Sequence, residues 1–163
     1  MSWGRSHCCR FNHPRPIWCP CARRVCRNEV VNPVLTESFG FFNNTAVGTI
    51  ASNAIIPLTT VQTGGSGVSS NNAGGIILAA GTYQVSYFAN GTVPAGGSVS
   101  VSLRINGTEL SGSEVTVTGD SGNVASLTQT IVITLAQSGT LELVNSSLEN
   151  VTYSLASVLI RRI

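Results

Sequence analysis

The side chains best suited to chemistry are crowded at one end of the 163-residue chain. All five cysteines (Cys8, Cys9, Cys19, Cys21 and Cys26) and both histidines (His7 and His13) fall within the first 26 residues. Thiols in this number can cross-link chains, ligate a metal, or remain free on a tail. A zinc site would take three thiolates and one imidazole. The spacing here is Cys-Cys, then Cys-x-Cys, then one Cys after four more residues, without the paired CxxC knuckles of a zinc module. Disulfide cross-linking between chains is the favoured reading, and no metal or cofactor is expected. Parity sharpens it. In a polar array of identical subunits, each disulfide to a neighbour uses two different cysteines of every chain, as does an intrachain bond. Five is odd, so at least one cysteine per chain stays outside such bonds unless the chains are inequivalent or related by a two-fold axis. Residues 27–163 hold no cysteine, so cross-links must join arm to arm, with Cys8 or Cys9 meeting Cys19, Cys21 or Cys26 of a neighbour.

Elsewhere catalytic chemistry is sparse. Residues 37–163 contain no histidine, cysteine or lysine, and their acids are Glu37, Glu109, Glu114, Asp120, Glu142 and Glu149. A serine nucleophile would find no histidine base in its own domain. Paired carboxylates could act as acid and base, but nothing in the sequence brings two together. An enzyme is not expected. Five Asn-x-Ser/Thr sequons, at Asn43, Asn90, Asn106, Asn145 and Asn150, are read as the coincidence of a Ser/Thr-rich composition.

The segment that must position the thiols is basic and proline-broken. Residues 1–27 hold six of the nine arginines and no acid, +6, whereas residues 28–163 hold three arginines against seven acids, −4. Pro14, Pro16, Pro20 and Pro33 disfavour a helix and push their neighbours toward extended backbone. Some 30 extended residues reach roughly 100 Å, enough to contact a neighbouring subunit. Trp3, Phe11, Ile17 and Trp18 are apolar anchors with no core of their own to enter. Residues 1–36 therefore read as a connector arm. Arginines and aromatics can also bind nucleic acid, but a +6 arm complementing the −4 remainder is the simpler reading, and no nucleic-acid partner is expected.

Residues 37–163 read as an all-β sandwich of about ten short strands. Tyr83, Val85, Tyr87 and Ala89 alternate with Gln84, Ser86 and Asn90, the period of a half-buried strand. Phe88 breaks that polar side and points to a second subunit. Val99, Val101, Leu103 and Ile105 alternate with Ser98, Ser100, Ser102 and Arg104, burying one face. Asn106-Gly107 suits a type I′ hairpin, and Asp120-Ser121-Gly122 turns again. Residues 64–72 read as an exposed glycine-rich loop. The terminal strand, 151–163, is apolar on both parities: Val151, Tyr153 and Leu155 on one, Ala156, Val158 and Ile160 on the other. Phe88, Ala156, Val158 and Ile160 are therefore the expected trimer contacts. No apolar run of 18 residues exists, so no membrane-spanning helix is expected. The basic, Cys-bearing N-terminus does not read as a secretory signal.

Gly81-Thr82-Tyr83-Gln84-Val85-Ser86-Tyr87, Ser102-Leu103-Arg104-Ile105-Asn106-Gly107, Leu141-Glu142-Leu143-Val144-Asn145 and Ala156-Ser157-Val158-Leu159-Ile160 occur in this order. Together with Phe39-Gly40-Phe41-Phe42-Asn43-Asn44-Thr45, they make residues 37–163 resemble the C-terminal domain of the collagen-like BclA-type glycoproteins of the Bacillus exosporium. The resemblance implies a jelly roll similar to tumour necrosis factor, assembled as a homotrimer on spore surfaces. The chain departs from that pattern in having no Gly-x-y repeat, its place being taken by the Cys/Arg/Pro arm. This favours a subunit that polymerises head to tail into an endospore appendage fibre, held by a spore-surface anchor protein and extracellular after mother-cell lysis. A trimeric surface module that binds a glycan or receptor, with its arm only as anchor, is the alternative.

Overall fold

The computed structural model describes residues 37–71 and 73–163. The arm, with its five cysteines and Trp3, Phe11, Ile17 and Trp18, lies outside the described residues. Twelve strands form two antiparallel six-stranded sheets, and no helix occurs among the described residues. The first sheet runs β10 (Val124–Leu135), β6 (Gly81–Thr92), β12 (Val151–Arg162), β1 (Phe39–Asn44), β3 (Thr59–Gly64), with β2 (Gly48–Ile50) also on β12. The second runs β4 (Val68–Ser70), β5 (Ile76–Leu78), β11 (Gly139–Asn145), β7 (Ser98–Ile105), β8 (Thr108–Glu109), with β9 (Val115–Thr118) also on β7.

Alternation decides which side chains fill the space between the sheets. Tyr83, Val85, Tyr87 and Ala89 of β6 are all buried there with Phe42, Val99, Val101, Leu103, Leu141 and Leu143. Asn106 and Gly107 both take positive φ, 51° and 78°, and Ile105 pairs with Thr108 across them. That is the two-residue primed hairpin expected of Asn-Gly. The turn at 120–122 also forms, with Asn123 N donating to Asp120 O.

Three expectations are corrected. The terminal strand is not apolar on both faces. The β12–β6 register shifts between Tyr153 and Leu155, a bulge that swaps parity, so Val151 and Tyr153 share the core face with Ala156, Val158 and Ile160. Residues 64–72 are not a free loop: Val68–Ser70 pairs with β5, Val68 is buried, and Gly67 is held by Ser38 Oγ and by the Tyr83 hydroxyl. Nor does β7 bury one face alone, because Ser100 and Ser102 are buried as well. Ser100 Oγ pairs with Thr116 Oγ1, and the Arg104 guanidinium spans β11 to reach Asn53 beyond it.

Candidate functional site

Once the bulge has placed Ala156, Val158 and Ile160 inside, the outer face of the first sheet is left with the other parity. Four cross-strand rows cover it. Phe39, Arg161, Gln84 and Val132 form the first, and Phe41, Leu159, Ser86 and Thr130 the second. Asn43, Ser157, Phe88 and Thr128 form the third, then Leu155, Asn90 and Ser126. Of these fifteen side chains only Arg161 is charged, and it sits at the rim, 3.1 Å from the Glu37 carboxylate. Leu159 is 51% exposed and Val132 62%.

Four of the eight uncharged polar side chains in these rows, and the Thr82–Thr134 pair beyond them, are joined by hydrogen bonds within the sheet. Ser86 Oγ meets Thr130 Oγ1 at 2.8 Å, Thr82 Oγ1 meets Thr134 Oγ1 at 3.1 Å, and Ser126 Oγ donates to Asn90 Oδ1 at 2.8 Å. Hydroxyls satisfied within their own sheet lose little when water is withdrawn, which lowers the desolvation cost of covering that part of the face.

Phe88 therefore lies where alternation puts it, outward and half-buried. Ala156, Val158 and Ile160 do not join it: each is at most 1% exposed within the chain's own core and cannot also face a partner. The apolar side chains that share the outer face with Phe88 include Phe41, Leu159 and Val132, which the residue pattern alone did not single out. Phe41 could have been found from the alternation of Phe39 and Phe41 against Gly40 and Phe42. Leu159 was hidden by the bulge.

Acid–base chemistry finds little footing. Arg104 pairs in register with Glu142 on one side and Glu109 on the other, so the ladder places two carboxylates on one row without bringing them together. They stand two strands apart, about 10 Å, with an arginine between. Among the described residues no group of three or more His, Cys, Asp or Glu side chains could hold a metal ion, and no helix is long and apolar enough to cross a membrane. The shifted groups are core phenols. Burial, with Glu114 nearby, pushes Tyr87 up to about 12, and burial raises Tyr153 further.

No family model matches the chain, and no curated protein matches it. Solved structures do. Eiger TNF from S. frugiperda matches with a TM-score of 0.61 at 9% identity, over 78% of this chain and 93% of that one. Murine APRIL at pH 5.0 matches at 0.61 and 12%, over 78% and 99%. The PRD1 vertex protein P5 matches at 0.52 and 17%, over 78% and 98%. The fold is a TNF-like jelly roll. At these identities the likeness concerns architecture, and a jelly roll that serves both as a TNF and as a vertex protein leaves function to be argued from the surface.

Proposed function

We propose that the chain is a structural subunit of a bacterial spore-surface fibre or appendage, built from trimeric jelly rolls coupled head to tail by their arms. One observation carries the reading: the outer face of the first sheet, fifteen side chains with a single rim charge, centred on Phe41, Leu159 and Phe88. Single exposed apolar residues are ordinary, but a whole uncharged sheet face is the signature of an interface core. Three copies packed on this face give the trimer. It would also cover the central part of a sheet whose two edge strands, β3 and β10, carry no charge among their residues.

The arm supplies the coupling. At about 25 cal/mol per Å² and some 150–200 Å² per ring, its three aromatic rings contribute several kcal/mol before ordering costs. Its cysteines then make the joint covalent as the surroundings oxidise. Spore location rests on the ordered motifs shared with the BclA-type domain, and an anchor protein on the spore completes the attachment. No catalytic step, cofactor, nucleic acid or membrane enters this function. The alternative, a surface binding module using residues 64–72, has less to offer now that β4 occupies part of that stretch.

The test is Phe88→Glu with Leu159→Asp. Both side chains point away from the core, so in a chain lacking residues 1–33, which cannot be coupled into filaments, the variant should stay folded and sediment as a monomer where the unsubstituted truncation sediments as a trimer. A trimer from the double variant would contradict the interface.

A further inference from the structure

The turn at 146–150 is pinned from several sides yet holds its leucine out. Asn145, itself buried, shares its Nδ2 hydrogens among the carbonyls of Ile50, Ala51 and Glu149 at 3.0–3.1 Å. Ser147 Oγ donates to Ser100 O and accepts from Ser100 N, and Ser52 Oγ donates to Ser147 O. A turn so restrained cannot readily fold its apolar tip inward, and Leu148 is 97% exposed. Beside it the Glu149 carboxylate lies against Gly96, whose loop is tied to the next: Gly119 N donates to Gly97 O and Val93 N to Asn123 O. That next loop carries Asp120. No arginine lies on 93–97, 119–123 or 146–150, so these three loops present Asp120 and Glu149 and the restrained apolar tip of Leu148, while Arg104 reaches only the adjacent 51–53 turn through Asn53, and exposed Val124 follows loop 119–123.

The arm leaves from the opposite end. Ser38 O accepts from Arg162 N, and Arg162 in turn lies against Gly81, the first residue of β6. Val93, which binds the acidic loops, follows the last residue of the same strand. Twelve extended residues separate the two ends by roughly 35–40 Å. In a head-to-tail stack, the arm-bearing end of one jelly roll faces the acidic end of the next.

We infer that the turn 146–150, with Asp120 beside it, is the docking surface for residues 1–27 of the next copy, Leu148 meeting the arm's apolar anchors and Asp120 and Glu149 its arginines. Three features select this occupant: the +6 charge of residues 1–27, the 36 residues that precede Glu37, and the placement of that exit at the far end. A restrained tip loses little entropy on being covered. This inference rests on the fibre reading and adds the acceptor to it.

The full-length chain carrying Asp120→Asn, Leu148→Ser and Glu149→Gln tests it by sedimentation and negative-stain microscopy. Trimers should persist while filament yield falls at least ten-fold. Filaments at native yield would overturn the docking surface and leave the fibre reading standing, whereas a native chain that makes no filaments defeats the fibre reading itself. A second variant guards against misfolding. Leu148→Cys provides the only thiol outside the arm, and with molecular oxygen as oxidant it should form a disulfide to an arm cysteine of another copy. Ser111→Cys, on the exposed loop between β8 and β9, both of which pair with β7, should not. Equal cross-linking from both positions would also overturn the inference.

Discussion

Asn145 shows how one side chain can join parts of the chain far apart in sequence. Its amide holds the 50–51 backbone and closes the turn to Glu149, while its Oδ1 accepts from the Tyr153 hydroxyl at 2.9 Å. Asn145→Ala would take the amide donor from Ile50 O, Ala51 O and Glu149 O and the acceptor from Ser147 N and the Tyr153 hydroxyl, leaving Ala51 O with Ala54 N and the phenol with Ser100 O. It should cost about 2–4 kcal/mol in urea unfolding, against about 1 kcal/mol for Tyr153→Phe. A wild-type midpoint for Asn145→Ala would show that the turn does not depend on this amide. The buried phenols also set an alkaline limit. Tyr87 is neutral in both folded and unfolded chains below its ordinary value of 10, but its folded value is pushed up to about 12. From pH 10 the unfolded chain releases this proton first, so stability is intact below 10 and falls between about 10 and 12. Denaturation midpoints measured from pH 8 to 12 should follow that course, and Tyr87→Phe should make it shallower, with Tyr153, also raised by burial, supplying the fall that remains.

Among the elements, β6 and the inner positions of β7 were legible because strict alternation with a period of two admits few other readings. The Asn106-Gly107 hairpin was legible because few dipeptides take positive φ twice at low cost. The bulge of β12 was not. Ser154 and Leu155 carry no glycine or other local mark, and the irregularity exists only relative to β6. Read as a regular strand, the sequence put Ala156, Val158 and Ile160 outside and concealed Leu159. The three-residue β4 was masked in the same way by its Gly and Ser neighbours, since it is specified by pairing with β5 and by the burial of Val68. The bulge yields a contrast. The β12 register steps two residues, Tyr153 to Leu155, against one on β6. Deleting Ser154 would regularise the ladder and keep every inward residue inward, so a soluble folded protein is expected. Deleting Ser157 would turn Val158 and Ile160 outward, and thermal denaturation should show no cooperative transition. Equal behaviour of the two deletions would refute the assigned register.

At the scale of the whole molecule, the chain pairs a jelly roll having one uncharged face and one acidic end with an arm of opposite charge. In the proposed assembly the trimer would belong to the face and the fibre to the arm, so the two levels of assembly should separate. The sequence suggests that division through its charge split and the confinement of cysteine to residues 1–27, whereas the acceptor end we infer depends on loops that only the fold brings together. The most direct measurement is negative-stain microscopy of the full chain beside one lacking residues 1–33. The full chain should form long unbranched filaments and the shortened chain isolated trimers. Filaments from the shortened chain would contradict coupling by the arm.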